Sequence, residues 1–429
     1  MKKTKIALAI TAAVMVSQPV LATNGDHLIG LGAQARALGG TGAAAFFGSE
    51  NALTNPGLLG KMQGTEFAIG GTLFKPDVTA ETDVASMTGQ PVSQTSEADT
   101  NIIPEVSMAT RINENLVFGL GIYGSAGMGV DYRDNAGSAG VQAAMGTNGD
   151  GSGLFNGYSN LQIMKFAPTL AYNTEQYGIG FAPVIQYGSL DINYKFFDAA
   201  GNMGTAGTTY NIGNGMSTDL GYGFNLGGYF DVTPELTIGL AYQSAIAMTY
   251  DDQISVAADG FNLDFGDDLE QPAELKIGAA YTMGNMMYTA DFKQIAWGQA
   301  KGYKDFNWED QNVFALGAKF SGNGYWAGVG VNHAEDPIKK VDDGTYAGQA
   351  TDLFNNHFFP GIVETHFTFG GGYELTNRMT LEGAVVYAPE VSKTVDTNAV
   401  SAGLGGSGAT THEVKHSQMG YTVSLRMNF

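Results

Sequence analysis

The last segment of the chain, residues 417–429, alternates strictly between apolar and polar side chains. Its apolar members are Met419, Tyr421, Val423, Leu425, Met427 and Phe429. Because a β-strand sends successive side chains to opposite faces, this pattern predicts a strand with one apolar and one polar face. The apolar face could meet the core of a soluble sandwich or the lipid around a membrane barrel, and the period alone does not distinguish them.

The same alternation recurs along the chain, in segments that are joined in turn by short polar turns and by long connections. The predicted strands are residues 65–78, 102–112, 116–127, 160–173, 177–198, 218–232, 236–250, 273–282, 286–299, 310–320, 325–334, 363–375, 379–392 and 417–429. Short turns at one end and long loops at the other are typical of outer-membrane barrels. An open sheet edge in lipid would leave backbone groups unsatisfied. We therefore predict an all-β fold, a 14-stranded antiparallel transmembrane β-barrel.

Four charged side chains lie on the predicted polar face of two consecutive strands. Glu274 and Lys276 lie on one strand, and Asp291 and Lys293 lie on the next. Charges against lipid are costly, so we expect these side chains to point into the lumen and to pair across the strands. They could brace the lumen or contact a ligand.

The first residues have the layout of a secretory signal. Lys2, Lys3 and Lys5 precede an apolar run at residues 6–16, and small residues lead to Ala22. The apolar run is shorter than the roughly 20 residues that span a bilayer. We predict that residues 1–22 are a signal peptide cleaved after Ala22, and that the protein is located in the bacterial outer membrane.

Composition excludes several classes of function. The chain contains no cysteine, so neither disulfides nor thiolate metal sites can stabilise it in an oxidising compartment. Its net charge of −21 would repel nucleic acid. No motif calls for a cofactor. We interpret the acidic residues within 251–272 as a solvated loop, with a divalent-cation site that bridges to lipopolysaccharide as the open alternative. The sequence therefore favours neither a cofactor enzyme nor a nucleic-acid-binding protein.

Residues 23–64 precede the first predicted strand and do not have the barrel pattern. They are rich in small residues and glycine, and they contain an Asn55-Pro56-Gly57 bend. A segment this apolar needs a place to pack, and a 14-stranded barrel encloses more space than its own side chains fill. We predict that residues 23–64, named the hatch below, plug the lumen, and that the barrel spans residues 65–429.

The layout resembles the FadL family of outer-membrane channels for long-chain fatty acids, including its TodX-type branch for aromatic hydrocarbons. The stretch from Gly30 to Leu59 resembles the family's N-terminal hatch, and Asn55-Pro56 matches its Asn-Pro-Ala motif, with Gly57 in place of the alanine. Residues 271–281 and 360–375 resemble family strands, and Phe429 resembles the terminal aromatic residue that is read by the barrel-assembly machinery.

The resemblance implies passive uptake of hydrophobic molecules, which are captured by extracellular loops, bound beside the hatch and released sideways through a kinked third strand. The loop residues expected in the capture groove are Met203, Tyr210, Ile212, Met216, Phe261, Leu263 and Phe265. They could instead pack on one another. The residues expected at the kink are Gly124, Gly127 and Gly129, where strand alternation is lost, although they could instead begin a Gly-rich loop. A carboxylate ligand would need a cation near the hatch, and the candidates are Arg36, Lys276 and Lys293.

Several alternatives stay open at this stage. The cargo could be a fatty acid or a hydrocarbon, and the barrel could be a general porin or a surface receptor for adhesion or phage. His366, Glu364 and His333 invite a check for acid–base chemistry, but no nucleophile with partners is evident, so we expect no enzyme activity. The expected partners are the hydrophobic ligand, outer-membrane lipid and lipopolysaccharide, and the assembly machinery, and we expect a monomer.

Overall fold

The computed structural model describes residues 23–84, 91–133, 155–197, 209–341, 343–403 and 408–429. Within these ranges, fourteen long strands form the wall of one sheet. Their bounds are β1 Thr65–Thr82, β2 Asn101–Arg111, β3 Leu116–Asp131, β4 Tyr158–Asn173, β5 Tyr177–Phe197, β6 Ser217–Asp231, β7 Leu236–Gln243, β8 Glu274–Met283, β9 Met286–Ile295, β10 Gln311–Ser321, β11 Tyr325–Ala334, β12 Thr365–Thr376, β13 Met379–Asp396 and β14 Thr411–Asn428. The proposed signal peptide and Met203 lie outside the described residues.

Each wall strand pairs antiparallel with the next, and the last strand pairs with the first. The register between β14 and β1 runs from Asn428 opposite Glu66 to His412 opposite Thr82. The sheet is therefore closed, and the backbone groups that would form two open edges bond to each other instead. The predicted 14-stranded antiparallel barrel is confirmed.

Side-chain exposure along the strands shows which face is apolar. On β12, Phe367 and Phe369 are more than half exposed, whereas His366 and Thr368 between them are buried. The apolar face therefore points outward and the polar face points into the lumen, which is the arrangement of a membrane barrel and the reverse of a soluble protein.

Some strand ends differ from the predicted ones. The strand predicted at residues 236–250 ends at Gln243, because the chain beyond it leaves the wall. Ile246 and Thr249 instead form isolated bridges to Gln271 and Asp268 within the same loop. At the same end of the barrel, β13 continues to Asp396 and β14 begins at Thr411, so these strands rise higher than predicted.

The long loops contain short helices that the alternation did not predict. These are Ile254–Asp259, Tyr346–Phe358 and Asn398–Gly403. Thr345 caps the second of them by accepting a hydrogen bond from Gly348 N, and its residues from Gly348 to Phe358 are buried. This helix therefore lies within the loop cluster that covers the mouth of the barrel. Among the described residues, no helix is both long enough and apolar enough to cross a membrane.

The hatch consists of short pieces and reaches several parts of the inner wall. It contains the strands Thr23–Asn24 and His27–Leu28, the helices Ala33–Ala37 and Asn51–Thr54, and the 3-10 turns Gly48–Glu50 and Pro56–Lys61. Gly39 N donates to Thr368 of β12 (2.9 Å), and Gly42 and Ala43 donate to Asp291 of β9 (2.8 Å each). The hatch thus lies inside the sheet.

An arginine placed on the outer face tests the membrane interpretation. Leu316, in the middle of β10, and Met283, at a short turn, are 56% and 57% exposed. Leu316→Arg should lower the free energy of unfolding in lipid vesicles by about 2–4 kcal/mol, and Met283→Arg by about 0–1 kcal/mol, because the cost depends on depth. Urea titration checks this. Equal losses at the two positions would contradict a lipid-facing wall.

Candidate functional site

The Asn55-Pro56-Gly57 bend fixes the hatch against β5 and β6. The Asn55 side chain accepts a hydrogen bond from Gly57 N (3.0 Å) and donates to Gly228 O (3.0 Å). A side chain at residue 57 would place its Cβ 2.7 Å from the Gly228 Cα. This close approach of two backbones explains why glycine stands here.

A buried arginine ties the lower part of the hatch to the wall. Arg426 of β14 donates to Phe47 O (2.8 Å) and lies 3.3 Å from Glu50 in the hatch. It also pairs with Glu66 of β1 (2.5 Å) and Glu382 of β13 (2.9 Å). Burial raises the pKa of Glu50 well above its usual range, although Arg426 opposes this. Three carboxyl groups thus share one guanidinium at the junction of hatch and barrel.

Arg36, the first candidate for a carboxylate partner, is already occupied. Its Nη2 lies 2.6 Å from Glu105 of β2, its Nη1 donates to Thr422 of β14 (3.1 Å), and its Nε donates to Gly30 O (3.0 Å). The structure therefore places Arg36 as a brace between hatch and wall.

The other two candidates meet on one patch of the inner wall. Lys276 of β8 stands directly opposite Lys293 of β9 in the ladder, and both ammonium groups approach Glu274 Oε2, at 3.6 and 3.9 Å. Lys165 of β4 joins them from the side, where it donates to the neutral amide of Gln243 (3.1 Å). We name these three lysines the lysine site.

The lysine site differs in one respect from the pairing expected from the sequence. Glu274 does pair with Lys293 across the strands, as expected. Asp291, however, accepts hydrogen bonds from the hatch N–H groups of Gly42 and Ala43, so it supports the hatch. Two lysines therefore depend on one carboxylate.

A small cavity lies between the lysine site and the hatch. Its lining includes Lys165, Glu274, Lys276, His27 and Ser125. Its volume is about 40 Å³, which is room for roughly three water molecules. Ser125 belongs to β3, so the cavity extends from the lysine site to the third strand.

The third strand is irregular where the sequence predicted a kink. The ladder between β2 and β3 ends at Glu105 opposite Tyr123, and the register with β4 shifts between Gly124 and Ala126. Beyond this point the hatch takes part: His27 pairs with Ala126, and Gly127 N donates to Asp26 O (3.1 Å).

Residues 101–104 of β2 and 124–130 of β3 thus border an interruption in the wall, which we name the window. The Ile103 side chain covers it, because a Cβ on Gly124 would lie 2.6 Å from Ile103 Cγ2. Gly129 faces β4 closely, since its Cβ would lie 2.1 Å from Ser159 O. Outside, Leu73 and Ile102 are exposed and apolar, so the window opens at the level of lipid.

The two loops expected to form a capture groove contact each other at Gln253, whose Nε2 donates to Gly215 O (2.7 Å). Phe261 and Leu263 are buried, and Phe265 is half-buried. Residues 261–262 of this segment form a turn, and residues 263–266 have no regular secondary structure.

The aromatic side chains of this loop pack together with rings from other loops. Phe261 contacts Phe155, Tyr194 and Phe354, and Phe265 contacts Phe306 and Phe354. Ile212 is buried near Gly260, whereas Met216 is 62% exposed. The backbone of Tyr210 pairs with Phe196.

The residues considered for acid–base chemistry do not converge. His366 is buried in the lumen, and His333 faces outward, where it bonds to Thr365 (2.9 Å). Glu364 lies before β12 and accepts from Asp336 N (3.3 Å).

Lys165 and His27 are site residues that sequence reasoning missed. Lys165 occupies an inward position of β4, between buried Ile163 and Ala167, so a lysine on a lumen face was a usable signal. Its proximity to Lys276 depends on how distant strands curve together, and residue order does not reveal that.

A closed antiparallel barrel with an apolar exterior and an occupied lumen defines an outer-membrane barrel protein. Residues 26–429 match the family described as "Outer membrane protein transport protein (OMPP1/FadL/TodX)". The chain therefore belongs to this family, which confirms the resemblance, locates the protein in the outer membrane and sets it apart from enzymes.

Similar proteins include a curated "Long-chain fatty acid transport protein" of Escherichia coli O6:H1 strain CFT073, 25% identical over 273 residues. That match covers 58% of this chain and 56% of the relative, so the chain spans little more than half of the relative's length.

Solved structures share the fold at low identity. A FadL homologue of Pseudomonas aeruginosa has a TM-score of 0.68 at 13% identity and covers 94% of this chain and 100% of its own. The toluene transporter TodX of P. putida has a TM-score of 0.66 at 19% identity, covering 93% and 99%. The toluene transporter TbuX of Ralstonia pickettii has a TM-score of 0.62 at 19% identity, covering 95% and 99%.

Loss of the buried arginine should loosen the hatch. Arg426→Gln leaves Glu50, Glu66 and Glu382 without their shared cation, which should cost about 3–5 kcal/mol. Ion conductance in planar bilayers should rise, and the hatch should become sensitive to protease. The control is Arg378→Gln, at an exposed turn. Unchanged conductance in a folded Arg426→Gln protein would contradict this role.

Proposed function

We propose that the protein takes up long-chain carboxylates, such as fatty acids, by passive diffusion across the outer membrane. The observation that carries this proposal is the lysine site, which borders a cavity that reaches the window. Membership of a family of outer-membrane transport proteins and similarity to the long-chain fatty acid transport protein of E. coli also support uptake of fatty acids.

The charge balance of the lysine site favours an anionic ligand. Lys276 and Lys293 share Glu274, and Lys165 bonds to a neutral amide, so three cations face one directly paired carboxylate. Buried charges are retained only where they find partners. A ligand carboxylate would add a second negative partner beside Glu274, whereas a hydrocarbon would make no charged contact with the three lysines.

The proposed route begins at the loop cluster. The exposed Met216 and the half-buried Phe265 offer apolar surface on which an acyl chain can settle, whereas Ile212, Phe261 and Leu263 are buried within the loop cluster. From there the carboxylate reaches the lysine site and the chain lies against the hatch, whose Asn55-Pro56-Gly57 bend keeps the floor of the lumen closed.

The proposed exit is the window. Gly124, Gly127 and Gly129 allow β3 to depart from β2. The apolar side chain of Ile103 covers the window and would move aside when the ligand leaves. Lateral release delivers an apolar chain to lipid, which is the environment that it prefers over the aqueous periplasm.

Hydrocarbon uptake is the second candidate, favoured by the likeness to the toluene transporters TodX and TbuX. The same window would serve such a cargo, but the lysine site would not contact it. A general porin is disfavoured because the hatch fills the lumen, and a receptor role for adhesion or phage would be additional.

The remaining parts of the proposal concern processing and partners. Residues 1–22 are removed on export, and the barrel acts as a monomer among outer-membrane lipid and lipopolysaccharide. Phe429, which is 72% exposed, serves as the terminal signal for the barrel-assembly machinery.

Removal of one cation should affect acids selectively. Lys165→Met preserves the length of the side chain and should weaken binding of oleate by about 1.5–3 kcal/mol, the usual contribution of a hydrogen bond to a charged group. Binding of oleyl alcohol should stay unchanged. Lys319→Met, on another part of the inner wall, is the control. Titration calorimetry checks this, and equal oleate affinity in wild type and Lys165→Met would refute the assignment.

A cross-link at the window should block transport reversibly. A Cβ on Gly124 would lie 3.8 Å from the Ile103 Cβ, within the range of about 3.5–4.5 Å that disulfides need. The natural chain has no cysteine, so Ile103→Cys with Gly124→Cys forms a unique pair. Oxidation should abolish oleate uptake by cells, and reduction should restore it, while oleate binding persists.

The single variant Ile103→Cys is the control for this experiment, because it cannot form the bond and should ignore the oxidant. Full uptake by the oxidised double variant would show that the ligand leaves by another route.

A further inference from the structure

The two carboxylate oxygens of Glu274 contact different parts of the molecule, the lysine site on the barrel wall and His27 in the hatch. Oε2 faces Lys276 (3.6 Å) and Lys293 (3.9 Å), whereas Oε1 lies 2.6 Å from His27 Nδ1 in the hatch. Only 9% of the residue is exposed. A buried carboxylate therefore bridges the lysine site and the N-terminal strand of the hatch.

The two contacts of Glu274 differ in tightness. Hydrogen bonds between ammonium and carboxylate groups are usually about 2.7–2.9 Å long. The lysine contacts are longer than this, so an incoming carboxylate could make better ones. At the same time, the like charges of Lys276 and Lys293 stand opposite each other and need a negative charge between them.

His27 connects this carboxylate to the window. Its ring lies between Glu274 and Gln271, with Nε2 at 2.8 Å from Gln271 Oε1. Its backbone pairs with Ala126 of β3, and the adjacent Asp26 O accepts from Gly127 N. The strand His27–Leu28 thus replaces β2 as the partner of β3 where the wall is interrupted.

The cavity beside these groups has room for a few water molecules and is too small for an acyl chain. Binding of a long ligand at the lysine site therefore requires the neighbouring hatch residues to move. The hatch residues His27, Leu28 and Ile29 line this cavity, so they are the ones that would have to move.

We propose that Glu274 is an internal substitute for the ligand carboxylate, which competes with the ligand for the lysine site and releases the His27–Leu28 strand from β3 when it is displaced. This inference rests on the proposed uptake of carboxylates. It assigns Glu274 as a specificity-determining residue and His27 as a positioning residue for the window.

The first test removes the charge of the competitor. Glu274→Gln keeps the size of the side chain and a hydrogen bond to His27, so oleate affinity should rise by about tenfold, while oleyl alcohol affinity stays unchanged. Asp336→Asn is the matched control, because it removes one half-buried negative charge that pairs with Lys393 (2.9 Å) and not with the lysine site, and it should leave oleate affinity within about twofold.

A loss or an absence of change in oleate affinity in folded Glu274→Gln would overturn the competition. This outcome differs from failure of the proposed function, in which wild-type protein would bind oleate no better than oleyl alcohol. Heat-modifiable migration on gels reports folding of each variant.

The second test uses wild-type protein and does not depend on a variant. Amide hydrogen exchange at Gly127, whose N–H donates to Asp26 O, should become at least several-fold faster with saturating oleate and stay unchanged with oleyl alcohol. Unchanged or slower exchange with oleate would overturn the release of the strand.

Discussion

The structure depends on the requirement that every backbone N–H and C=O at membrane depth finds a partner inside the protein. The pairing of β14 with β1 meets this requirement for the wall as a whole. At the window β2 and β3 do not pair with each other, and two other features reduce the number of unpaired backbone groups there. Asp26 O accepts a hydrogen bond from Gly127 N of β3 where His27 pairs with Ala126, and Pro104 of β2, which has no N–H, stands where the ladder ends.

The same requirement links the hatch to function. Because hatch residues complete the ladder of β3, any displacement of the hatch exposes backbone groups at the window. Arg426 and the Asn55 bend fix the hatch away from the window, and Arg36 fixes it to Glu105, at the edge of the window. The N-terminal strand lies beside the lysine site, where His27 contacts Glu274. Under the proposed function, one small segment connects ligand binding with release.

Much of the fold could be predicted from the sequence, because the alternation with a period of two, the short turns and the absence of long apolar segments can all be recognised from residues close together in the chain. The inward positions of Glu274, Lys276, Asp291 and Lys293 followed from the same period. The partner of Asp291, the addition of Lys165 and the burial of Phe261 could not be predicted. They depend on contacts between residues far apart in sequence, and the helix Tyr346–Phe358 supplies part of that packing.

The most direct test of the account is a structure of the protein purified from its native membrane with its own ligand bound. We expect elongated density beside the hatch, with a carboxylate at about 2.7–3.0 Å from the ammonium group of Lys165, Lys276 or Lys293 and a tail directed towards the window. A ligand that lies wholly outside the lysine site, or one without an acidic group, would contradict it.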